Sequence, residues 1–126
     1  MTHLLDINIL LAAIWEEHPH HARAFAWLKG KSVAVCPLAE LGFIRISTQT
    51  KSSFNAPMEK TRELLATFIA ERNARRIPDD LPALESKPKK SAQVTDSYLA
   101  DLAARHGLKL ATFDSGIKHS AAVLVH

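Results

Sequence analysis

The chain has 126 residues, of which 47% are hydrophobic and 23% charged, with a formal net charge of +3. This length suits a single domain spanning 1–126, and the composition excludes an intrinsically disordered chain. No apolar run approaches the ~20 residues that a membrane helix needs, and polar interruptions at Asp6 and Asn8 argue against a signal peptide. The lone Cys36 cannot form an internal disulfide, so we expect a cytoplasmic protein.

Strands and helices alternate through the first part of the chain. The apolar run at 2–5 predicts a buried strand, and helical spacing of apolar residues predicts helices over 8–14 and 22–28. A β-branched run predicts a second strand over 33–36, and Pro37 opens a further helix, since proline is tolerated in a first turn.

The middle of the chain is richer in polar residues. Residues 47–57 are predicted to form a loop, at the end of which Asn55 caps the next helix. The apolar stripe of that helix falls within 64–69. A short strand is expected over 75–78, and the proline- and lysine-rich stretch 79–91 is expected to be a loop.

The C-terminal part predicts a helix capped by Thr95, followed by strands over 108–113 and 121–125. Strands separated by helices imply parallel pairing with right-handed crossovers. The sequence therefore predicts an α/β fold, a three-layer α/β/α sandwich around a short, mainly parallel sheet.

Four acidic residues fall at the same predicted edge of this sheet. Asp6 and Asp114 follow strands, and Glu40 and Asp96 lie in the first turns of helices that begin at the carboxyl edge. Ligand sites in such folds lie beyond the carboxyl ends of the strands. Each acid alone has an ordinary explanation, as a first-turn acid favoured by the helix dipole or as a turn residue. Their joint placement predicts one site.

Crowded carboxylates repel one another, and a divalent cation removes that cost. An all-oxygen donor set favours Mg²⁺ or Mn²⁺ over Zn²⁺. Such ions keep several waters, one of which can act as the nucleophile toward a phosphodiester. The pattern therefore predicts a metal-dependent nuclease, with one or two ions.

Other polar residues are expected near the four acids. Asn8 is predicted to orient a ligand carboxylate or water, Thr112 to hydrogen-bond within the acidic rim, and Arg45 to contact phosphate or pair with an acid. Asp101 lies ~500° around the helix from Asp96 and therefore does not share its face, so we interpret it as a solvated acid.

Two further motifs have a simpler reading than a functional one. The histidines of "HPHH" lack a second ligand cluster at zinc-site spacing, and we interpret them as surface residues of a turn. The "KPKK" run of Lys87, Lys89 and Lys90 is capable of steering RNA, but a solvated loop is the default interpretation.

Nearly the whole chain resembles PIN-domain ribonucleases, especially the toxin half of VapBC toxin–antitoxin pairs. The resemblance rests on the segments "LLDINILLAA", "HPHHARAFAWL", "CPLAELGFIRISTQ" and "VTDSYLADLAARHGLKLATFDSGI". It implies a PIN fold, Mg²⁺ or Mn²⁺ dependence, endoribonuclease activity toward RNA, a cognate VapB-type antitoxin and a homodimer. It also implies Asp6, Glu40 and Asp96 as metal ligands and Asp114 as a fourth, direct or through water.

Three alternatives compete with this hypothesis. A phospho-acceptor receiver-like module needs paired acids after the first strand and a lysine after the last, and the chain has neither. A phosphatase of the haloacid dehalogenase type needs an Asp where Asn8 stands. A catalytically inactive PIN scaffold is the third alternative, and the intact set of acids argues against it.

Overall fold

The computed structural model describes all 126 residues and contains five helices and five strands. In chain order these elements are β1 (Thr2–Leu5), α1 (Ile7–Ile14), α2 (His21–Leu28), β2 (Ser32–Val35), α3 (Pro37–Thr48), α4 (Met58–Glu71), β3 (Arg75–Arg76), α5 (Val94–Arg105), β4 (Lys109–Thr112) and β5 (Ala122–Leu124). Two short 3₁₀ turns, Ala83–Glu85 and Ser91–Gln93, lie between β3 and α5.

The five strands form one sheet in the order β3-β2-β1-β4-β5, and every pair is parallel. The chain moves from β1 outward to β3 and then crosses back to β4. Right-handed crossovers therefore place α1 to α4 on one face of the sheet and α5 on the other. The predicted three-layer α/β/α architecture is confirmed. β1 and β4 are neighbours, so the residues that follow them emerge side by side.

The core is built from the central strands and the helices packed on them. Leu4, Val35 and Leu110 from the strands, Phe43 from α3 and Leu102 from α5 are completely buried. Strands covered on both faces have few positions for polar side chains, which explains their continuous apolar runs.

Two predicted helix caps are wrong. Asn55 lies in the left-handed region, with φ of 37°, and α4 instead begins after Pro57 without a side-chain cap. Thr95 lies inside α5, which begins one residue earlier at Val94. The 3₁₀ turn ending at Gln93 leads directly into α5, so no capping side chain starts the helix.

The predicted loop 47–57 is also wrong at its start, because α3 continues through Thr48. The Ser47 Oγ atom accepts a hydrogen bond from the Trp15 indole at 2.8 Å in the buried core. The Thr48 hydroxyl donates to the Ile44 carbonyl at 2.9 Å. Trp15 in the core and the Ile44 carbonyl of the same helix satisfy the two hydroxyls, so their polarity does not end α3.

Strand lengths differ modestly from the predicted ones. The short strand predicted over 75–78 pairs formally only at Arg75–Arg76, although the Ile77 amide still donates to the Val35 carbonyl at 3.0 Å.

None of the helices combines the length and the apolar character that crossing a bilayer requires.

Candidate active site

Asp6 lies immediately after β1, where the chain turns into α1. Its side chain is only 3% exposed, and it serves as the N-cap of α1 by accepting a hydrogen bond from the Ile7 amide at 2.7 Å. The other carboxylate oxygen, Oδ2, accepts from the Thr112 hydroxyl at 2.7 Å. A buried carboxylate needs such partners, so both oxygens of Asp6 have fixed directions.

Thr112 ends β4 and connects three residues of the sheet edge. Its Oγ1 atom donates to Asp6 and accepts from the Asn8 side-chain amide at 3.3 Å and from the Asp114 backbone amide at 3.0 Å. The Asn8 side-chain oxygen accepts from the Phe113 amide at 3.3 Å. Asn8 therefore holds the turn after β4 and contacts Asp6 only through Thr112.

Asp114 and Asp96 approach Asp6 from two other elements. Asp114 follows β4, and its Oδ1 atom accepts from the Gly116 amide at 2.8 Å, which holds it in a tight turn. Asp96 lies in the first turn of α5. The charges of Asp6 and Asp114 both act on Asp96, which identifies these three acids as neighbours.

The burial and proximity of these acids shift the pKa values of Asp96 and Asp6. Burial raises the pKa of Asp96 to about 6, and the negative charges of Asp6 and Asp114 act in the same direction. Burial also raises the pKa of Asp6, although the hydrogen bonds from Thr112 and Ile7 oppose that effect. The cluster is therefore electrostatically strained when all three acids are ionised.

Glu40 takes a different partner. It lies in the first turn of α3, as predicted, but its Oε1 atom forms an ion pair with the Arg76 guanidinium at 3.2 Å. Arg76 belongs to β3, which adds to the sheet beside β2. The sequence analysis did not single out Arg76, although the adjacent basic residues in a predicted strand were the available signal.

Arg45 does not pair with an acid, which was one of its two predicted roles, and it lines a groove together with Ile7 and Thr95, the residues next to Asp6 and Asp96 in the sequence. Its side chain lines a groove formed by α3, the start of α1 and the start of α4, together with Ile7, Leu41 and Met58. It forms no salt bridge with any carboxylate.

The acids do not form a complete coordination site in this structure. No three His, Cys, Asp or Glu side chains are gathered closely enough to form a ready coordination sphere. Glu40 is engaged by Arg76, and Asp114 accepts from the Gly116 amide. The donor chemistry nevertheless fits a hard divalent cation, since the donors are carboxylates and a cation would relieve the strain on Asp96.

Asp101, interpreted from the sequence as a solvated acid, is partly exposed but also has a hydrogen-bond partner. It lines the same cavity as Asp96 and Asp114, and its Oδ1 atom accepts a hydrogen bond from His119 Nε2 at 2.8 Å. His119 Nδ1 accepts from the Ala121 amide at 3.0 Å, so both ring nitrogens are engaged. The pair ties α5 to the segment between β4 and β5, a long-range contact that helical spacing alone does not show.

Comparisons with known proteins agree with this architecture. A family model described as PIN domain matches residues 3–123. Ribonuclease VapC38 of Mycobacterium tuberculosis strain ATCC 25618 / H37Rv is 37% identical over 121 residues, covering 90% of this chain and 86% of the relative. Ribonuclease VapC39 of strain CDC 1551 / Oshkosh of the same species is 34% identical over 137 residues, covering 96% of this chain and 94% of the relative.

A solved structure shares the fold. The structure titled VapBC2 from Rickettsia felis bound to a DNA fragment from their promoter superposes with a TM-score of 0.64 at 15% identity, covering 98% of this chain and 97% of that chain. At this identity the likeness concerns the fold alone. Together, the match of the PIN-domain model to almost the whole chain and the two VapC relatives confirm the resemblance that the sequence motifs indicated: the chain belongs to the PIN-domain family.

Proposed function

We propose that the protein is an endoribonuclease dependent on Mg²⁺ or Mn²⁺ and that it acts as the toxin of a toxin–antitoxin pair in the cytoplasm. The observation that carries the proposal is the cluster of Asp6, Asp96 and Asp114 at the carboxyl edge of the sheet, with the pKa of Asp96 raised to about 6. The relatives named Ribonuclease VapC support RNA as the substrate.

Asp6, Asp96 and Asp114 would hold the cation, with Glu40 as a fourth ligand once it leaves Arg76. A bound divalent cation supplies positive charge that activates water and stabilises the charge developing on the phosphoryl group. The carboxylate donors of the site favour Mg²⁺ or Mn²⁺ over other metals.

The chain's own residues prepare this site in two ways. Thr112 and the Ile7 amide orient the Asp6 carboxylate and favour its ionised form. Asn8 fixes the turn that carries Asp114 by bonding the Phe113 amide and Thr112. Fixed carboxylates lose little conformational freedom when they bind a ligand, which is the advantage of preorganisation.

We propose a VapB-type antitoxin and a second copy of this chain as protein partners. The solved structure described above is a VapBC complex by its title, which supports the antitoxin. Exposed apolar side chains on α3 and α4, Leu41 at 64% and Met58 at 53%, are suited to a protein interface.

The decisive test is cleavage of RNA by the purified protein with Mg²⁺ or Mn²⁺. Asp6→Asn is expected to reduce the cleavage rate by roughly a hundredfold or more, the scale of losing one electrostatic contact to a transition state. Glu63→Gln, an exposed acid of α4, is the matched control and is expected to cleave at the wild-type rate. Full activity in Asp6→Asn would overturn the assignment of this site.

Calorimetric titration with Mn²⁺ separates the nuclease from an inactive PIN scaffold. The nuclease is expected to bind the metal, and the binding should be lost in Asp6→Asn. Absence of both binding and cleavage in the wild-type protein would favour the scaffold.

A further inference from the structure

Basic and acidic side chains line one cavity. The cavity has a volume of about 670 Å³, and its acidic lining residues are Glu85, Asp96, Asp101 and Asp114. Four lysines line it as well, which we call the lysine wall: Lys87, Lys89, Lys90 and Lys118. Three of them belong to the "KPKK" run, which the sequence analysis considered for steering RNA but interpreted by default as a solvated loop.

No carboxylate forms an ion pair with the lysine wall, and the one hydrogen bond of its ammonium groups runs from Lys118 Nζ to the Ser115 carbonyl at 3.3 Å. Each of the four salt bridges in the structure uses an arginine or a histidine, and none uses a lysine. The acids that line the same cavity are therefore not ion-paired with the lysines. Unpaired ammonium groups beside a cavity attract an anion from solution.

The segment that carries three of these lysines is anchored at both sides. The Tyr98 hydroxyl of α5 donates to the Leu81 carbonyl at 2.9 Å, and Ser86 is buried directly before Lys87. Pro88 stands between the first two lysines and restricts the backbone there. The second 3₁₀ turn then leads from Lys90 into α5 and Asp96. These contacts restrict the segment that carries Lys87, Lys89 and Lys90.

The remaining lining residues indicate how a ligand is recognised. No Phe, Tyr or Trp side chain lines the cavity, its only apolar residues are Ala92 and Ile117, and its one imidazole, His119, is hydrogen-bonded through both ring nitrogens. The lining therefore offers little surface on which bases could stack, and most of the available contacts are charged. The volume lies in the range of about 300–1,000 Å³ that holds drug-sized ligands, which suits a short stretch of a single strand better than a duplex.

We propose that the lysine wall binds the phosphate backbone of single-stranded RNA next to the phosphate that is cut. The proposal rests on the proposed nuclease function and adds the surface that holds the substrate. The acids repel a phosphate when no cation is present, so the lysines provide the attraction that brings the strand to them. Because the contacts go to the backbone, binding is expected to tolerate changes of base.

The test measures binding separately from cleavage. A fluorescein-labelled oligouridylate is titrated with full-length protein carrying Asp6→Asn, with and without the triple change Lys87→Gln, Lys89→Gln and Lys90→Gln. The triple variant is expected to bind at least about tenfold more weakly at low salt. The slope of log affinity against log salt should fall in magnitude by about 2, since each phosphate contact on a single strand contributes about 0.7.

A matched control removes the same charge elsewhere. Lys29, Lys51 and Lys60 are exposed and lie outside this cavity. Their triple change to Gln is expected to leave affinity and slope near those of the parent. Thermal melting of both triple variants checks that each remains folded.

Several outcomes would overturn the proposal. The first is that the Asp6→Asn protein does not bind the oligonucleotide. The second is that both triple variants lose RNA affinity equally, and the third is that the salt slope stays unchanged after the change of Lys87, Lys89 and Lys90. The proposal would also be overturned if the change of Lys87, Lys89 and Lys90 abolished binding to an oligoglutamate peptide but left RNA binding unchanged. That result would indicate an acidic protein segment as the ligand instead. If the wild-type protein cleaves no RNA while the lysine effect is present, the nuclease function fails and the RNA-binding surface stands.

Discussion

The Thr112 hydroxyl lies 2.7 Å from Oδ2 of Asp6, although the two residues are 106 positions apart in the sequence. They meet because β1 and β4 are neighbouring parallel strands, which brings the last residues of both to one edge. This hydrogen bond stabilises the ionised form of the most buried acid of the site.

Replacing Thr112 with Val is expected to weaken the site without unfolding the protein. The change removes the donor to Asp6, so the pKa of Asp6 should rise further and protons should compete better with a metal. We expect a loss of about 10–100-fold in Mn²⁺ affinity or in RNA cleavage, the usual effect of removing a group that orients a ligand. The acidic limb of the pH–rate profile should move to higher pH.

Thr112→Ser keeps the hydroxyl and is the control for the Thr112→Val experiment. It is expected to retain most of the affinity and the original pH profile. If Thr112→Val binds Mn²⁺ as tightly as Thr112→Ser, the hydroxyl has no role at the site.

The raised pKa of Asp96 leads to a prediction of how the stability of the metal-free protein depends on pH. Its folded-state pKa of about 6 lies above the ordinary aspartate value of 3.8, so the folded state binds more protons between these two values. Stability is therefore expected to fall as pH rises from about 4 to about 6. Because solvent screens this partly exposed carboxyl, the loss should be about 1 kcal/mol or less.

Asp96→Asn removes that penalty and should raise the Tm of the metal-free protein at neutral pH. Added Mn²⁺ should raise the Tm of the wild-type protein and have little effect on Asp96→Asn. Thermal melting in a chelator and in Mn²⁺ checks both effects, and a lower Tm for metal-free Asp96→Asn would contradict the assigned strain.

The ion pair between Glu40 and Arg76 predicts competition between the arginine and a metal. Arg76 is largely exposed, so Arg76→Gln should change stability by no more than about 1 kcal/mol. If Glu40 is a ligand, removing its partner should strengthen Mn²⁺ binding severalfold. Arg75→Gln, in the same strand and also exposed, is the matched control. Equal affinities in the two variants would exclude Glu40 from the metal site.

The buried hydrogen bond between Trp15 and Ser47 predicts a cost in folding rather than in catalysis. Ser47→Ala leaves the indole N–H without its partner in the core, which should lower the free energy of unfolding by about 1–3 kcal/mol. Urea unfolding measures the change, with exposed Ser53→Ala expected within about 0.5 kcal/mol of wild type. A neutral Ser47→Ala would show that another acceptor or water replaces the hydroxyl.

The alternating pattern was sufficient to predict the fold, whereas local polarity misplaced several boundaries. Apolar periodicity reports burial, and burial is what fixes the strands and helices of an α/β fold. Ser47 and Thr48 have the composition of a loop but complete α3, because the core supplies Trp15 as a partner and the helix supplies the Ile44 carbonyl. The predicted caps at Asn55 and Thr95 were wrong for a related reason. A helix cap requires a particular backbone geometry, and tertiary packing sets that geometry.

The sequence by itself determined that Asp6 and Asp114 follow strands and that Glu40 and Asp96 begin helices, because these positions depend on local pattern. Only the tertiary structure decided the partners: Thr112 for Asp6, Arg76 for Glu40, and His119 for Asp101. It also brought the lysine wall and the acids to one cavity. The physical reason is that a hydrogen bond or ion pair depends on distance and direction in space, which strand order and helix packing set and which separation along the chain does not.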